Sequence, residues 1–173
     1  MLYALAAVLI AIAGLLAYAA TRPDHFRIER SAVIAAPPET IRPLIADFRA
    51  WRDWSPWEAK DPAMKRMLSG AEAGVGAVYG WEGNGQVGTG RMEIVEDAPR
   101  RVAIKLDFLK PFEAHNLAEF TLAPEGAGTR VTWAMSGPQP FIAKLMGIVF
   151  SMERMVGPDF EAGLANLKRR AEG

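Results

Sequence analysis

From Leu2 to Ala20 the chain runs LYALAAVLIAIAGLLAYAA with no charged residue. The polar positions that pattern everything downstream are absent here. As an α-helix rising ~1.5 Å per residue, about 19 residues reach about 28 Å, close to the thickness of a bilayer's hydrocarbon core. A helix this apolar buried inside a domain would need a partner that is apolar on all sides. The pattern therefore predicts a transmembrane anchor over residues 1–20, a connector over 21–25 and one domain over 26–173. A cleaved secretory signal is the competing reading. Ala17-Tyr18-Ala19 would serve as a cleavage site, but only Met1 precedes the apolar run, so the basic start that a signal needs is missing. Arg22, Arg27 and Arg30 follow the segment, diluted by Asp24 and Glu29, which leaves the side of the membrane open.

Beyond the connector, the spacing of apolar residues changes three times. Residues 26–35 (FRIERSAVIA) alternate and read as a first strand, stopped by Pro37 and Pro38. Residues 38–47 place Ile41, Leu44, Ile45 and Phe48 at helical spacing behind a proline start. Residues 49–58 predict a second short helix or turn, crowded with Trp51, Trp54 and Trp57. A period of two then takes over, with strands predicted at 64–69, 77–81, 87–96, 102–109, 114–122 and 129–135. Val102, Ile104, Leu106 and Phe108 set against Lys105 and Asp107 show it most clearly. Each such strand has one face for a core and one for water. The links are short and carry turn chemistry (Gly83-Asn84-Gly85, Pro124-Glu125-Gly126), which favours antiparallel hairpins. The chain closes in helix, with Phe141, Leu145, Ile148, Met152 and Met155 on one stripe for the sheet to cover. Ile142, Met146, Val149 and Phe150 form a second stripe. Pro158 lacks the amide proton that an internal turn needs, so a kink or restart is expected there. The order is α+β: a curved antiparallel sheet wrapped around a long C-terminal helix, preceded by one transmembrane helix.

Composition narrows the function. Lys plus Arg equals Asp plus Glu at 20 each, and no basic run occurs, so the footprint of a nucleic-acid binder is absent. With no cysteine there is neither a disulfide framework nor thiol chemistry. The two histidines stand apart, His25 in the connector and His115 at an outward-facing strand position. No metal-ligand spacing and no nucleophile elbow are found, so neither a metal nor another cofactor is expected. Gly88-Thr89-Gly90 joins strand to strand with no helix start to hold phosphate, and reads as a close-packed or bulged strand. Five Trp and eight Met supply ample surface for an adaptable apolar pocket.

Several phrases together resemble the START-like (SRPBCC) superfamily, the polyketide cyclase/dehydrase and lipid transport group of helix-grip fold. They are Ala36-Pro-Pro-Glu-Thr-Ile41, Asp47-Phe-Arg-Ala-Trp-Arg-Asp-Trp-Ser-Pro-Trp57, Gly74-Val-Gly-Ala-Val-Tyr-Gly-Trp81, Gly88-Thr-Gly-Arg-Met92 and Gly128-Thr-Arg-Val-Thr-Trp133. An apolar segment ahead of such a domain resembles a membrane-associated bacterial branch. The resemblance implies a deep cavity between sheet and C-terminal helix that takes lipids, polyketides or other apolar molecules. It does not imply catalysis, because function lives in the site.

The expected ligand-binding residues are Trp81, Met92, Ile104, Leu106, Phe108, Phe120, Trp133, Met146, Phe150 and Met155. Trp51, Trp54, Trp57 and Val149 are expected at the cavity mouth, where a ligand would pass to and from the bilayer. The alternative for this Trp turn is to pack inward and close the core. Three function classes stay open. A membrane-anchored binding module for a hydrophobic small molecule (lipid, quinone, isoprenoid or polyketide-like) leads, with the ligand and the bilayer as partners. A cyclase or dehydratase-type enzyme would need an acid or base inside the cavity. Glu93, Asp107 and Glu119 are the nearest strand carboxylates, and parity turns Asp107 and Glu119 outward. A regulatory domain would show a surface patch without a deep pocket. A cavity holding a buried titratable group would favour the enzyme, and a wholly apolar one the binding module.

Overall fold

The computed structural model of the chain describes every residue except Phe150, with the side chains of Leu2 and Val149 also outside the description. The apolar run forms helix α1 (Leu2–Thr21), and only 6% of its most apolar 18-residue stretch is buried against the rest of the molecule. It is long and apolar enough to cross a membrane. Three residues after Arg22, β1 (His25–Ile34) begins the domain.

Then come α2 (Pro38–Ala46), a single 3₁₀ turn (Ala50–Asp53) and α3 (Pro56–Lys60). Six strands follow: β2 (Lys65–Gly70), β3 (Ala77–Glu82), β4 (Thr89–Ala98), β5 (Arg101–Lys110), β6 (Ala114–Glu125) and β7 (Gly128–Pro138). With β1 they make one seven-stranded antiparallel sheet, ordered β1-β7-β6-β5-β4-β3-β2, a curved open sheet of the helix-grip kind. All seven strands stand where alternation predicts them, because hairpins link each to its neighbour except β1, which returns to pair with β7 along its whole length. The Gly88–Gly90 stretch carries the expected irregularity, with a register shift between Thr89 and Gly90.

The C-terminal helix departs from expectation. Two helices, α4 (Phe141–Val149) and α5 (Met152–Glu172), occupy the span predicted as one. Ser151 caps α5 by accepting the Arg154 backbone N–H at 3.4 Å, and α5 then runs through Pro158 without restarting there. Among the described residues it is α5 that grips the sheet, burying Phe160, Leu164 and Leu167 against α2, α3, β1 and β7. The stripe Phe141, Leu145, Ile148, Met152 and Met155 is therefore not covered by the sheet as expected: Phe141 is 47% exposed and Met155 63%, Met152 is exposed too, and Leu145 and Ile148 are only half-buried. α4 instead lies against the foot of α1. Arg22 donates to the Gly147 carbonyl at 3.1 Å, and buried Lys144 reaches Asp24 at 2.5 Å.

The core sits between the inner sheet face, α2 and α5, and includes Ile34, Ile41, Ile45, Phe48, Ile94, Ile104, Phe120 and Leu122. The outer face is charged and internally compensated. Glu93 pairs with Arg91, Glu119 with Arg101 and Arg27, and Asp107 with His115 and Lys105.

Candidate functional site

The Trp turn is built inward. Its first two indoles spend their N–H groups on the carbonyls that α2 leaves free near its C-terminus: Trp51 Nε1 donates to Ile45 and Trp54 Nε1 to Leu44, both at 2.9 Å. Both rings are thereby buried and pack edge-on against Trp133 and Phe120. Phe160 of α5 stacks flat on Trp133, with centroids 4.3 Å apart and planes 6° from parallel. Trp57 is half-buried and meets Trp133 and Phe160 edge-on. Among the described residues, the Trp133 Nε1 is a buried side-chain nitrogen with no hydrogen-bond partner. It lies inside this aromatic cluster.

Beyond that cluster a cavity of about 340 Å³ opens between the inner sheet face, α3 and the first turns of α5. Its apolar lining includes Trp81, Met92, Leu106, Phe108, Ala118, Met135, Val156 and Trp133. Gly90 allows Trp81 its position: a Cβ there would collide with the Trp81 ring, which lies across β4 with its N–H donated to the Val87 carbonyl at 3.0 Å. The β3–β4 turn is tied to α3 over the rim, since Asn84 donates through its backbone N–H to Asp61 (2.7 Å) and through its side chain to the Lys60 carbonyl (3.2 Å).

Polar groups also face the cavity. Glu58, in the first turn of α3, accepts the Tyr79 hydroxyl at 2.8 Å with one oxygen and Arg66 Nε at 2.7 Å with the other. Burial, reinforced by Glu58, pushes the Tyr79 hydroxyl far above the usual phenol range, so it stays protonated and acts as the donor. Lys60 of α3 pairs with Asp159 of α5 at 2.6 Å, and both side chains line the cavity.

The cavity thus brings together Trp81, Met92, Leu106, Phe108, Trp133 and Met155 of the expected ligand-binding set, and Trp51 and Trp57 of the expected mouth. Ile104 and Phe120 do not line it. They are fully buried deeper in the core, where α2 and the Trp turn cover that part of the sheet. Trp54 belongs to the core and not to a mouth, because its N–H is held by Leu44 and its carbonyl by Asn166. Met146 is 48% exposed on α4, away from the cavity, since α4 turns to α1 instead of continuing the grip helix. Phe150 and the Val149 side chain lie outside the described residues.

Glu58, Lys60, Tyr79 and Asp159 escaped sequence reasoning, which looked for acids on strands and found them outward. Glu58 meets Tyr79 across 21 residues, a separation that leaves no local pattern, and its only sequence cue is its place directly after Trp57.

Comparisons with known proteins agree with this architecture. The family described as polyketide cyclase/dehydrase and lipid transport matches residues 25–172. No curated protein matches the chain in sequence. The fold is similar to that of protein CV1439 from Chromobacterium violaceum, at 18% identity and a TM-score of 0.60, covering 88% of this chain and 99% of that one. The Aha1 dimer from Colwellia psychrerythraea gives 18% identity and a TM-score of 0.59, covering 85% and 96%. The di-domain ARO/CYC BexL from the BE-7585A biosynthetic pathway gives 18% identity and a TM-score of 0.61, covering 91% of this chain and 53% of BexL. At these identities the likeness is one of fold.

Proposed function

Since the chain belongs to the polyketide cyclase/dehydrase and lipid transport family, we propose that it is a membrane-anchored module that holds a hydrophobic small molecule between its sheet and α5. The observation that carries this reading is the cavity itself. Its volume of about 340 Å³ falls within the range of small-molecule sites, and its walls are mostly aromatic and aliphatic with a few convergent polar groups. The anchor reading is supported by the length and exposure of α1, and by the three residues (22–24) that separate it from β1. With so short a tether the domain stays at the bilayer surface. Phe141, Ile142 and Met146 of α4 add exposed apolar surface next to the foot of α1.

Tryptophan emission tests the binding role, because four of the five tryptophans (Trp51, Trp57, Trp81 and Trp133) line the cavity. An isoprenoid or quinone added to the full chain in lipid nanodiscs should change this emission saturably. A linear response, as from bulk partitioning alone, would count against a cavity site. Membrane attachment is read by alkaline carbonate extraction, in which the full chain should stay with the pellet.

One observation favours a second reading, an enzyme of the cyclase type: the cavity is not wholly apolar, and it holds Tyr79 hydrogen-bonded to Glu58. BexL, which shares the fold, is described as a di-domain ARO/CYC. Physical chemistry weighs against it. A phenol held far above its usual range is a poor proton donor, and the two oxygens of Glu58 are already engaged by Tyr79 and Arg66. Recovery of a chemically altered ligand after incubation with the chain would decide for the enzyme.

A further inference from the structure

The polar groups of the cavity gather around α3, with Ser55 at its N-cap and exposed Gln86 on the β3–β4 turn at the rim. Glu58 and Lys60 come from α3, Tyr79 from β3 beside it and Asp159 from the facing turn of α5. Beyond Tyr79 the sheet floor is apolar, with Met92, Leu106, Phe108, Ala118 and Met135. The charges around α3 are matched in place: Glu58 by Arg66, and Asp159 by Lys60 at 2.6 Å. The cavity therefore has a polar end without net charge and an apolar body.

The hydrogen-bond inventory of that end is specific. The Tyr79 hydroxyl gives its one proton to Glu58 at 2.8 Å, which leaves its oxygen lone pairs as acceptors. The Glu58 carboxylate takes one donor on each oxygen, from Tyr79 and from Arg66, and has further acceptor capacity. Lys60 carries three donors, of which Asp159 takes one. A carboxylate ligand could accept from the remaining Lys60 donors, but it would stand as a third anion beside Glu58 and Asp159 and has no proton to give to Glu58 or Tyr79. A pure hydrocarbon would strip water from the spare acceptor capacity of Glu58 and Tyr79 and offer no donor in return. A neutral hydroxyl has the proton these acceptors lack.

We propose that this cavity selects a neutral apolar molecule bearing a hydroxyl, a long-chain or isoprenoid-type alcohol or a phenol. The hydroxyl donates to the Glu58–Tyr79 pair, and the apolar body lies over Met92, Leu106 and Phe108. This assignment rests on the binding role above and adds the chemical class of the ligand.

The test uses the full chain in lipid nanodiscs and three probes of equal length, each brominated on the chain: dodecanol, dodecanoate and dodecane. Bromine quenches the tryptophans around the cavity, so saturable quenching reads occupancy. Dodecanol should bind about tenfold more tightly than either of the others, the factor expected from one net hydrogen bond to a charged acceptor. Tyr79→Phe and Glu58→Gln should each narrow the preference for dodecanol over dodecane. Equal affinity for all three probes, or an unaltered preference in Tyr79→Phe, would overturn the proposal while the binding role stands. Saturable quenching by none of them would instead bring down the binding role itself. Should Glu58→Gln fail to fold because Arg66 loses its partner, Tyr79→Phe, which keeps the packed ring, decides alone.

Discussion

Replacing Phe160 with alanine removes the ring that joins α5 to the aromatic cluster. Phe160 is 1% exposed, stacks on Trp133 at 4.3 Å and meets Trp57 edge-on at 6.2 Å. Deleting a buried phenylalanine costs roughly 3–5 kcal/mol, the sum of lost transfer energy and the void left behind. Because Phe160 already borders the cavity, part of its surface has no packed neighbour to lose, which sets the expectation near the lower end, about 3 kcal/mol. For a domain of this size 1 kcal/mol shifts the melting temperature by about 2–4 °C, so a fall of about 6–12 °C is expected. The assay is thermal unfolding of the full chain followed by circular dichroism in the near ultraviolet, where stacked tryptophans dominate. Phe112→Ala, at a site 74% exposed, is the control and should stay within about 0.5 kcal/mol of the parent. A loss below about 1 kcal/mol for Phe160→Ala would refute the claim that this stack couples the gripping helix to the sheet.

Gly90→Val should drive the Trp81 ring off β4 and push β4 away from the Asp107 backbone carbonyl of β5, lowering apolar ligand affinity and stability together; ligand-induced tryptophan quenching measures the first and thermal unfolding the second. On the outer face, the bond to Asp107 at 2.7 Å raises the His115 pKa above its ordinary value of about 6.5. Its stabilising contribution is therefore full below that ordinary value and fades as pH rises through the higher folded one. The melting-temperature gap between the parent and His115→Gln should accordingly close as pH is raised from about 6 to about 9, and a gap that widens would reverse the assigned sign.

How far the sequence could be read depended on whether each determinant was local. The strands were legible because a half-buried sheet imposes a period of two on every strand, as at Val102, Ile104 and Leu106 against Lys105. Trp81, Met92, Leu106, Phe108 and Trp133 reach the cavity because they share the parity of the inner face. That parity did not separate cavity from core: Ile104 and Phe120 face the same way but lie under α2 and the Trp turn. The destination of Trp51 and Trp54 depended on two α2 carbonyls six and ten residues upstream, a capping role that indole spacing does not announce. The division between α4 and α5 was hidden because apolar spacing continues across it, while Pro158 offered a stronger but misleading stop signal. Ser151, the actual cap, is one hydroxyl in an apolar run. The Glu58–Tyr79 pair joins α3 to β3 and exists only once the sheet has closed over the helix.

The measurement that bears most directly on the account is native mass spectrometry of the full chain, extracted with its surrounding lipid in polymer-bounded discs and then released in the gas phase. It should be compared with Ala118→Trp, which fills the cavity from the sheet floor. The account expects a discrete hydrophobic molecule to stay bound to the parent after the bulk lipid is stripped, and to be absent from the folded Ala118→Trp variant. A parent that sheds everything down to the bare polypeptide mass, or a variant that retains the same molecule equally well, would contradict it.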